Sequence, residues 1–460
     1  MQQKNDFSKG DLKRTIIRLS LPLILAQLVN VLYSVVDRIY IGQMPGIGVT
    51  VLAGVGLTFP IITMVSAFAA LAGNGGAPLC SIARGERDDE KAERIMGNSF
   101  VMLLFFGVVC TIVGLWVKEP LLWALKASEE TFPYANEYLS VYLLGTVFVM
   151  ISLGLNPYIN AQGFTRRGMV TVVIGAAANI ILDPVLIYGL DMGVKGAALA
   201  TVIAQGLSAA YTLQFLTGKK CILKLRFRTM KPDFGVMGRI LGMGFSSFTM
   251  KLTESAVQLV CNLQLSAFGG DMYITAMTVI NSVRQVIMMP MHGLSEGMQP
   301  VVGYNYGAKQ YDRVKTGIKF MAMVCMGYAF LVWAIAELFP GVLIRIFNQD
   351  AELLAVGVPS MRLYFAAFFG MWMQMAGQYS FVALGKAKQA TFFSLLRKAI
   401  IVVPLTLILP NFIGVNGVFW AEVVSDLVGS TACFTTFILT VWRKELSRPN
   451  EIGEGAISDR

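Results

Sequence analysis

Apolar residues gather along this chain into about twelve stretches of roughly 18 or more, each long enough to cross a bilayer as a helix. Short polar turns separate them. The stretches are continuous rather than alternating, so they predict membrane-spanning α-helices and not the strands of a barrel. In the first half they fall near 15–41, 51–82, 97–117, 134–161 and 169–189, with a sixth opening at the GVKG that starts at Gly193. In the second half they fall near 240–268, 273–303, 318–339, 358–384, 391–409 and 415–442.

Two of the stretches carry patterned polar positions. Gln27, Asn30 and Asp37 recur at spacings of three and seven, so they share one face of the first helix. Against lipid that stripe would be costly, and it is expected to line the protein interior. Asn179 and Asp183 lie four apart and stack about one turn from each other on the fifth helix. Pro184 follows at once and removes a backbone donor, which predicts a bend beside the carboxylate. Two acids at membrane depth with no evident basic partner invite a cation. The competing reading buries them in hydrogen bonds, or pairs Asp37 with the adjacent Arg38.

Composition turns these stretches into a class. The 460 residues are 55% hydrophobic and 14% charged, against about 25% charged in soluble domains, so the chain is an integral membrane protein. The formal net charge of +10 does not point to nucleic acid, because the bases sit in short loops. Lys4, Lys9, Lys13, Arg14 and Arg18 precede the first helix, Arg166 and Arg167 follow the fourth, and Lys219, Lys220, Lys224, Arg226, Arg228, Lys231 and Arg239 follow the sixth. Lys309, Arg313, Lys315 and Lys319, then Lys386 and Lys388, then Arg443, Lys444 and Arg448 complete the series. With twelve helices every cluster falls on one side, which predicts a multi-pass protein of the plasma (inner) membrane with both termini cytoplasmic. The six cysteines are scattered without disulfide or metal spacing, and the N-terminus has no cleavage pattern of a signal peptide. No HExxH, Walker or paired-cysteine motif occurs, so neither an enzyme nor an ATP-driven pump is expected, nor any cofactor beyond a coupling ion.

The chain also resembles itself at a shift of about 222 residues. ARGERDDEKA, with Pro78 upstream, meets NYGAKQYDRV with Pro300; Gln162-Gly163 meets Leu384-Gly385; and GVKGAALAT meets GVNGVFWAE. Six helices per half is an even number, so the halves enter in one orientation. An all-α fold of twelve helices in two six-helix lobes is expected, related by a pseudo-two-fold axis along the membrane normal. The boundaries read as an N-lobe at 1–217, a basic linker at 218–239, a C-lobe at 240–442 and a polar tail at 443–460.

Four stretches carry a family resemblance: LPLILAQLVNVLYSVVDRIYIG, NIILDP, GVKGAALAT and GMQPVVGYNYGA, in that order. Together they make the chain similar, over nearly its whole length, to the multidrug and toxic compound extrusion (MATE) transporters of the multidrug/oligosaccharidyl-lipid/polysaccharide exporter superfamily. That resemblance implies a secondary active exporter of amphiphilic, mostly cationic drugs in exchange for Na⁺ or H⁺. It also implies a cation site at the matching positions Asp37, Asn179, Asp183 and Thr201. Carboxylate, amide and hydroxyl oxygens suit a hard cation, and a carboxylate could take a proton instead.

The C-lobe departs from the branch of the family that pairs a Glu on helix 7 with an Asp on helix 10. Glu254 matches the first, but MWMQMAGQYSF offers Gln374 and Gln378 where the acid would be. Glu422 and Asp426 complete a possible secondary acidic site, expected to be neutralised by Lys251, Arg284, Arg397 and Lys398. Gln27, Asn30, Tyr33, Tyr142, Met288, Met291, Gln374, Gln378 and Tyr379 are candidates for a substrate cavity, since methionines and aromatic faces accommodate varied organic cations. His292 is read as a packing residue. Two other functions compete: a lipid-linked oligosaccharide flippase, expected to show a more basic cavity, and a non-transporting membrane receptor. Small organic cations and the lipid bilayer are the expected partners of a monomeric protein.

Overall fold

In the computed structural model, residues 6–347 and 350–447 are described, and they hold helices and no strand. Lys4, Arg448 and the rest of the expected polar tail beyond residue 447 lie outside the described residues. In chain order the long helices are α1 (Leu12–Gly42), α2 (Thr50–Gly85), α3 (Asp89–Ala124), α4 (Phe132–Leu144 with Thr146–Ala161), α5 (Thr165–Gly189), α6 (Gly193–Thr217), α7 (Phe234–Gly269), α8 (Asp271–Gly307), α9 (Tyr311–Leu338), α10 (Ala351–Ala383), α11 (Ala387–Ile413) and α12 (Asn416–Trp442).

Nine of these are each long and apolar enough to span a bilayer, and the two halves of α4 together make a tenth. The other two, α7 and α8, run for 36 and 37 residues. At about 1.5 Å per residue they exceed the bilayer core, but charges such as Lys251, Glu254, Arg284 and Glu296 dilute their apolar signal. The twelve expected helices are therefore present. The expected continuous helix over 134–161 is not: α4 bends by 60° at Gly145. There the main chain presses on Val202 of α6, and a Cβ would stand 2.4 Å from its Cγ2.

Two compact units divide the chain. The first takes Leu25–Ala83 and Asp88–Phe248; the second takes Asp6–Ile24, Arg84–Arg87 and the chain from Thr249 onward. Thus α1 contributes its opening to one unit and the remainder, with Asp37, to the other.

Inside the first unit α7 and α2 cross in backbone contact. A Cβ on Gly244 would lie 1.8 Å from the Leu71 carbonyl oxygen, and one on Gly75 would lie 2.3 Å from that of Ile240. Membrane helices associate by such close fits, because lipid is as apolar as a side chain. Gly244→Val therefore fails to give a monodisperse protein on size exclusion. Gly242→Val, where nothing lies within 4 Å, elutes as the parent does. Equal behaviour of the two variants would refute the crossing.

In the second unit the segment before α1 is clamped. Arg313 donates to the carbonyls of Phe7 (3.0 Å) and Gly10 (3.1 Å), and Asn305 Nδ2 donates to Phe7 O at 3.0 Å. The Arg84 guanidinium sits over the Phe7 and Tyr304 rings at 5.7 and 5.6 Å.

Candidate functional site

The site in the first unit starts where α5 loses its regularity. Pro184 cannot donate, and beyond it Val185–Gly189 winds as a π turn, a local widening that helices often adopt at functional positions. Asn179 and Asp183 sit just before this turn and are buried, 2% and 0% exposed. The chain then reverses through a short connection into α6. Gly196 passes so close to Leu186 that a Cβ would lie 2.7 Å from its carbonyl group. That approach sets Thr201 against α5.

Asn179 Nδ2 donates to Asp183 Oδ1 at 3.3 Å and to Thr201 Oγ1 at 3.4 Å. Thr201 spends its own proton on Ala197 O at 3.1 Å, which leaves its oxygen free to accept. From α1, Asp37 brings its carboxyl against that of Asp183, close enough for a hydrogen bond if one of them holds a proton. Tyr33, one turn earlier, lies near both acids without bonding to either, its hydroxyl being within reach of Ser34. As carboxylates the two groups only accept, and Asp37 Oδ1, Asn179 Oδ1 and Asp183 Oδ2 are buried without a donor. The four expected residues therefore converge.

Such oxygens are what a proton or a hard monovalent cation satisfies. Among the described residues no cluster of three or more His, Cys, Asp or Glu could hold a metal ion, so the donor set is not that of a transition-metal centre. Arg38 does not form the alternative pair with Asp37; its guanidinium lies over the Phe59 ring, 4.8 Å from the centroid. Tyr138 of α4 escaped the sequence reading. It is buried with its hydroxyl against Thr201 and its ring stacked on Tyr142 at 6.3 Å. The four-residue spacing of the two tyrosines was the only signal available.

The second unit treats its acids differently. Glu422 Oε1 accepts from Lys398 Nζ at 2.8 Å and Glu422 Oε2 from Arg284 Nη1 at 3.2 Å, while Arg284 also donates to the Tyr364 hydroxyl. Asp426 Oδ1 accepts from Arg397 Nη1 at 2.8 Å. Arg397 and Lys398 lie in a π turn of α11 (Leu396–Val402) and Asp426 in one of α12 (Ser425–Gly429), with Ser425 Oγ bonded across to Arg397 O at 2.8 Å. Neutralisation by bases is thus the state of Glu422 and Asp426. It is not that of Glu254, which is exposed and has no ion pair within 4 Å among the described residues.

The cavity candidates separate by burial. Tyr142 is packed inside the first unit, and Met288, Met291, Gln374 and Gln378 inside the second. Gln378 Nε2 donates to Ala390 O at 2.8 Å, which ties it to α11. Gln27 and Tyr33 are half-buried and Asn30 is exposed. Tyr379 is half-buried and shares a 2.6 Å hydrogen bond with His292 Nδ1. The sequence reading passed over residues 293–297, GLSEG, which have the spacing of a hydrolase nucleophile turn but lie within α8. Ser295 is fully buried there, so no nucleophile is presented.

Residues 22–185 and 247–408 each match the model of the family described as MatE, one match in each half of the internal repeat. The chain is similar to the Multidrug export protein MepA of Staphylococcus haemolyticus (strain JCSC1435), 26% identical over 447 residues and 96% of each chain. It is equally similar, 26% over 442 residues and 95% of each chain, to MepA of Staphylococcus aureus (strain MSSA476). Among solved structures, a MOP superfamily transporter from Pyrococcus furiosus Vc1 (DSM3638) matches at 24% identity with a TM-score of 0.89, over 98% of this chain and 100% of that one. A MATE in the bent conformation matches at 25% identity with a TM-score of 0.88, over 95% and 96%.

Proposed function

This chain belongs to the MatE family, and on that premise we propose that it exports amphiphilic organic cations in exchange for Na⁺ or H⁺. The similar MepA chains, named multidrug export proteins, support efflux as the activity of this multi-pass membrane protein. The observation that carries the coupling is the surplus of acceptors in the cluster: three buried oxygens, on Asp37, Asn179 and Asp183, lack a donor. Two adjacent carboxylates in that cluster repel until a cation or proton arrives. Asp37 belongs to α1, which also contributes to the second unit, so drawing Asp37 toward Asp183 acts on a helix common to both. A conformational equilibrium is shifted by a ligand only through its differential affinity for the two states, and here the difference is relief of that repulsion.

The half-buried Gln27 and Tyr33 and the exposed Asn30 on α1 are the substrate-facing candidates of the first unit, and the half-buried Tyr379 that of the second. The protein works as a monomer in the plasma membrane with its basic loops and termini cytoplasmic. Efflux of ethidium from proteoliposomes, under separately imposed Na⁺ and H⁺ gradients, tests the reading and names the ion. Glu254→Gln retains efflux within about twofold, since that exposed acid is outside the coupling cluster. A loss as deep as that of Asp37→Asn would place coupling in both units. Absence of efflux in the unaltered protein would reopen the oligosaccharide flippase reading.

A further inference from the structure

The linker between α6 and α7 has two dissimilar sides. Its inner side is fixed to the first unit. Cys221, Leu223 and Leu225 are buried, Gln162 Oε1 accepts the backbone N–H groups of Ile222 and Leu223 at 2.9 Å, and Glu93 Oε1 accepts that of Lys224 at 2.8 Å. The outer side is thereby held outward, and Lys219, Lys220, Arg226, Phe227, Arg228 and Lys231 are all exposed on it. Phe227 is 91% exposed, and Phe234, at the first residue of α7, is 85% exposed.

Residues 219–231 hold no acid. Bare aromatic rings set among guanidinium and ammonium groups, beside the ends of two spanning helices, are the composition of a segment lying in the headgroup layer. Next to Phe234 is a cavity of about 500 Å³, whose charged lining is Glu90, Arg94, Arg228, Lys231 and Asp233. Arg94 is committed to Asp233 at 2.9 Å. Arg228 reaches Glu90 only at 3.7 Å, between two exposed side chains, and Lys231 has no carboxylate within 4 Å among the described residues. Two cations therefore remain available beside an apolar rim.

We propose that this cavity and strap bind the headgroup of an anionic phospholipid, with Arg228 and Lys231 on the phosphate and Phe227 and Phe234 at the acyl boundary. The rings decide for a lipid over a soluble anion, which would have no use for them. Basic residues at a membrane surface attract anionic lipid and are screened within a Debye length, so the preference weakens as salt rises.

The test reconstitutes Phe227→Trp in vesicles of phosphatidylcholine containing equal mole fractions of brominated phosphatidylglycerol or brominated phosphatidylcholine. The extra emission over the unaltered protein isolates the new indole from the native tryptophans. Brominated phosphatidylglycerol should quench it about twice as strongly or more. Adding Arg226→Gln, Arg228→Gln and Lys231→Gln should remove the preference while leaving some quenching. Absence of quenching by either lipid would overturn the proposal, because the ring would then be in water. Equal quenching by both would overturn the anionic preference. Loss of the preference in inorganic phosphate, beyond that in chloride of equal ionic strength, would assign the cavity to a free anion instead. The first comparison needs no charge substitution, so it stands even if the triple variant fails to fold.

Discussion

Asp183→Asn lowers gradient-driven efflux by about tenfold or more while the purified protein melts no earlier than the parent. The substitution is nearly isosteric and keeps an oxygen for Asn179 Nδ2, so the α5 geometry at 3.3 Å has no reason to change. What disappears is the negative charge that recruits a proton or cation. A carboxylate at zero exposure inside a membrane helix is costly to hold, and its replacement by a neutral amide removes that cost. Function and stability therefore move in opposite directions. Asp37→Asn behaves alike, and the double variant adds little, because the two acids form one site rather than two independent ones. Ethidium efflux from proteoliposomes together with a melting curve in detergent reads both quantities. Retention of half the efflux, or an early melt, would make the cluster a structural feature of α5.

Glu422→Gln does the reverse. Glu422 is the counter-charge for Lys398 at 2.8 Å and for Arg284 at 3.2 Å, and these bases expose only 8% and 13% of their side chains. Removing one partner of a buried ion pair strands the other, which costs about 3–5 kcal/mol. Here two bases are stranded at once, although Tyr364 still accepts from Arg284. A clear fall in melting temperature and in folded yield is expected. Adding Lys398→Gln recovers most of it, since an amide facing an amide leaves one fewer charge unpaired. A Glu422→Gln protein as stable as the parent would mean that water or lipid reaches these bases. The same chemical change, carboxylate to amide, thus distinguishes an acid kept for its unmet valence from one kept for its partners.

The sequence alone determined everything that depends on near neighbours. A run of apolar residues long enough to span lipid is a property of consecutive positions, so twelve helices were legible, even for α7 and α8 where charges dilute the signal. Asn179 and Asp183 had to share a face because four residues make one helical turn. Pro184 had to disturb the helix beside them because it lacks a donor, and the disturbance took the form of the π turn at Val185–Gly189. The loop charges and the repeat were equally visible.

Only the tertiary structure decided which helix meets which. Asp37 was as close in sequence to Arg38 as a residue can be, yet its neighbour is Asp183, while Arg38 turned to Phe59. Glu422 found its bases on α8 and α11, and Glu254 found none within 4 Å among the described residues, a difference that no local spacing contains. Gly145 became a 60° bend because Val202 occupies the space beside it. Tyr138 joined the site because α4 packs on α6. Periodicity says which face of a helix is buried, but the partner is chosen by close fits such as Gly244 against Leu71, where a single added carbon would exclude the neighbour.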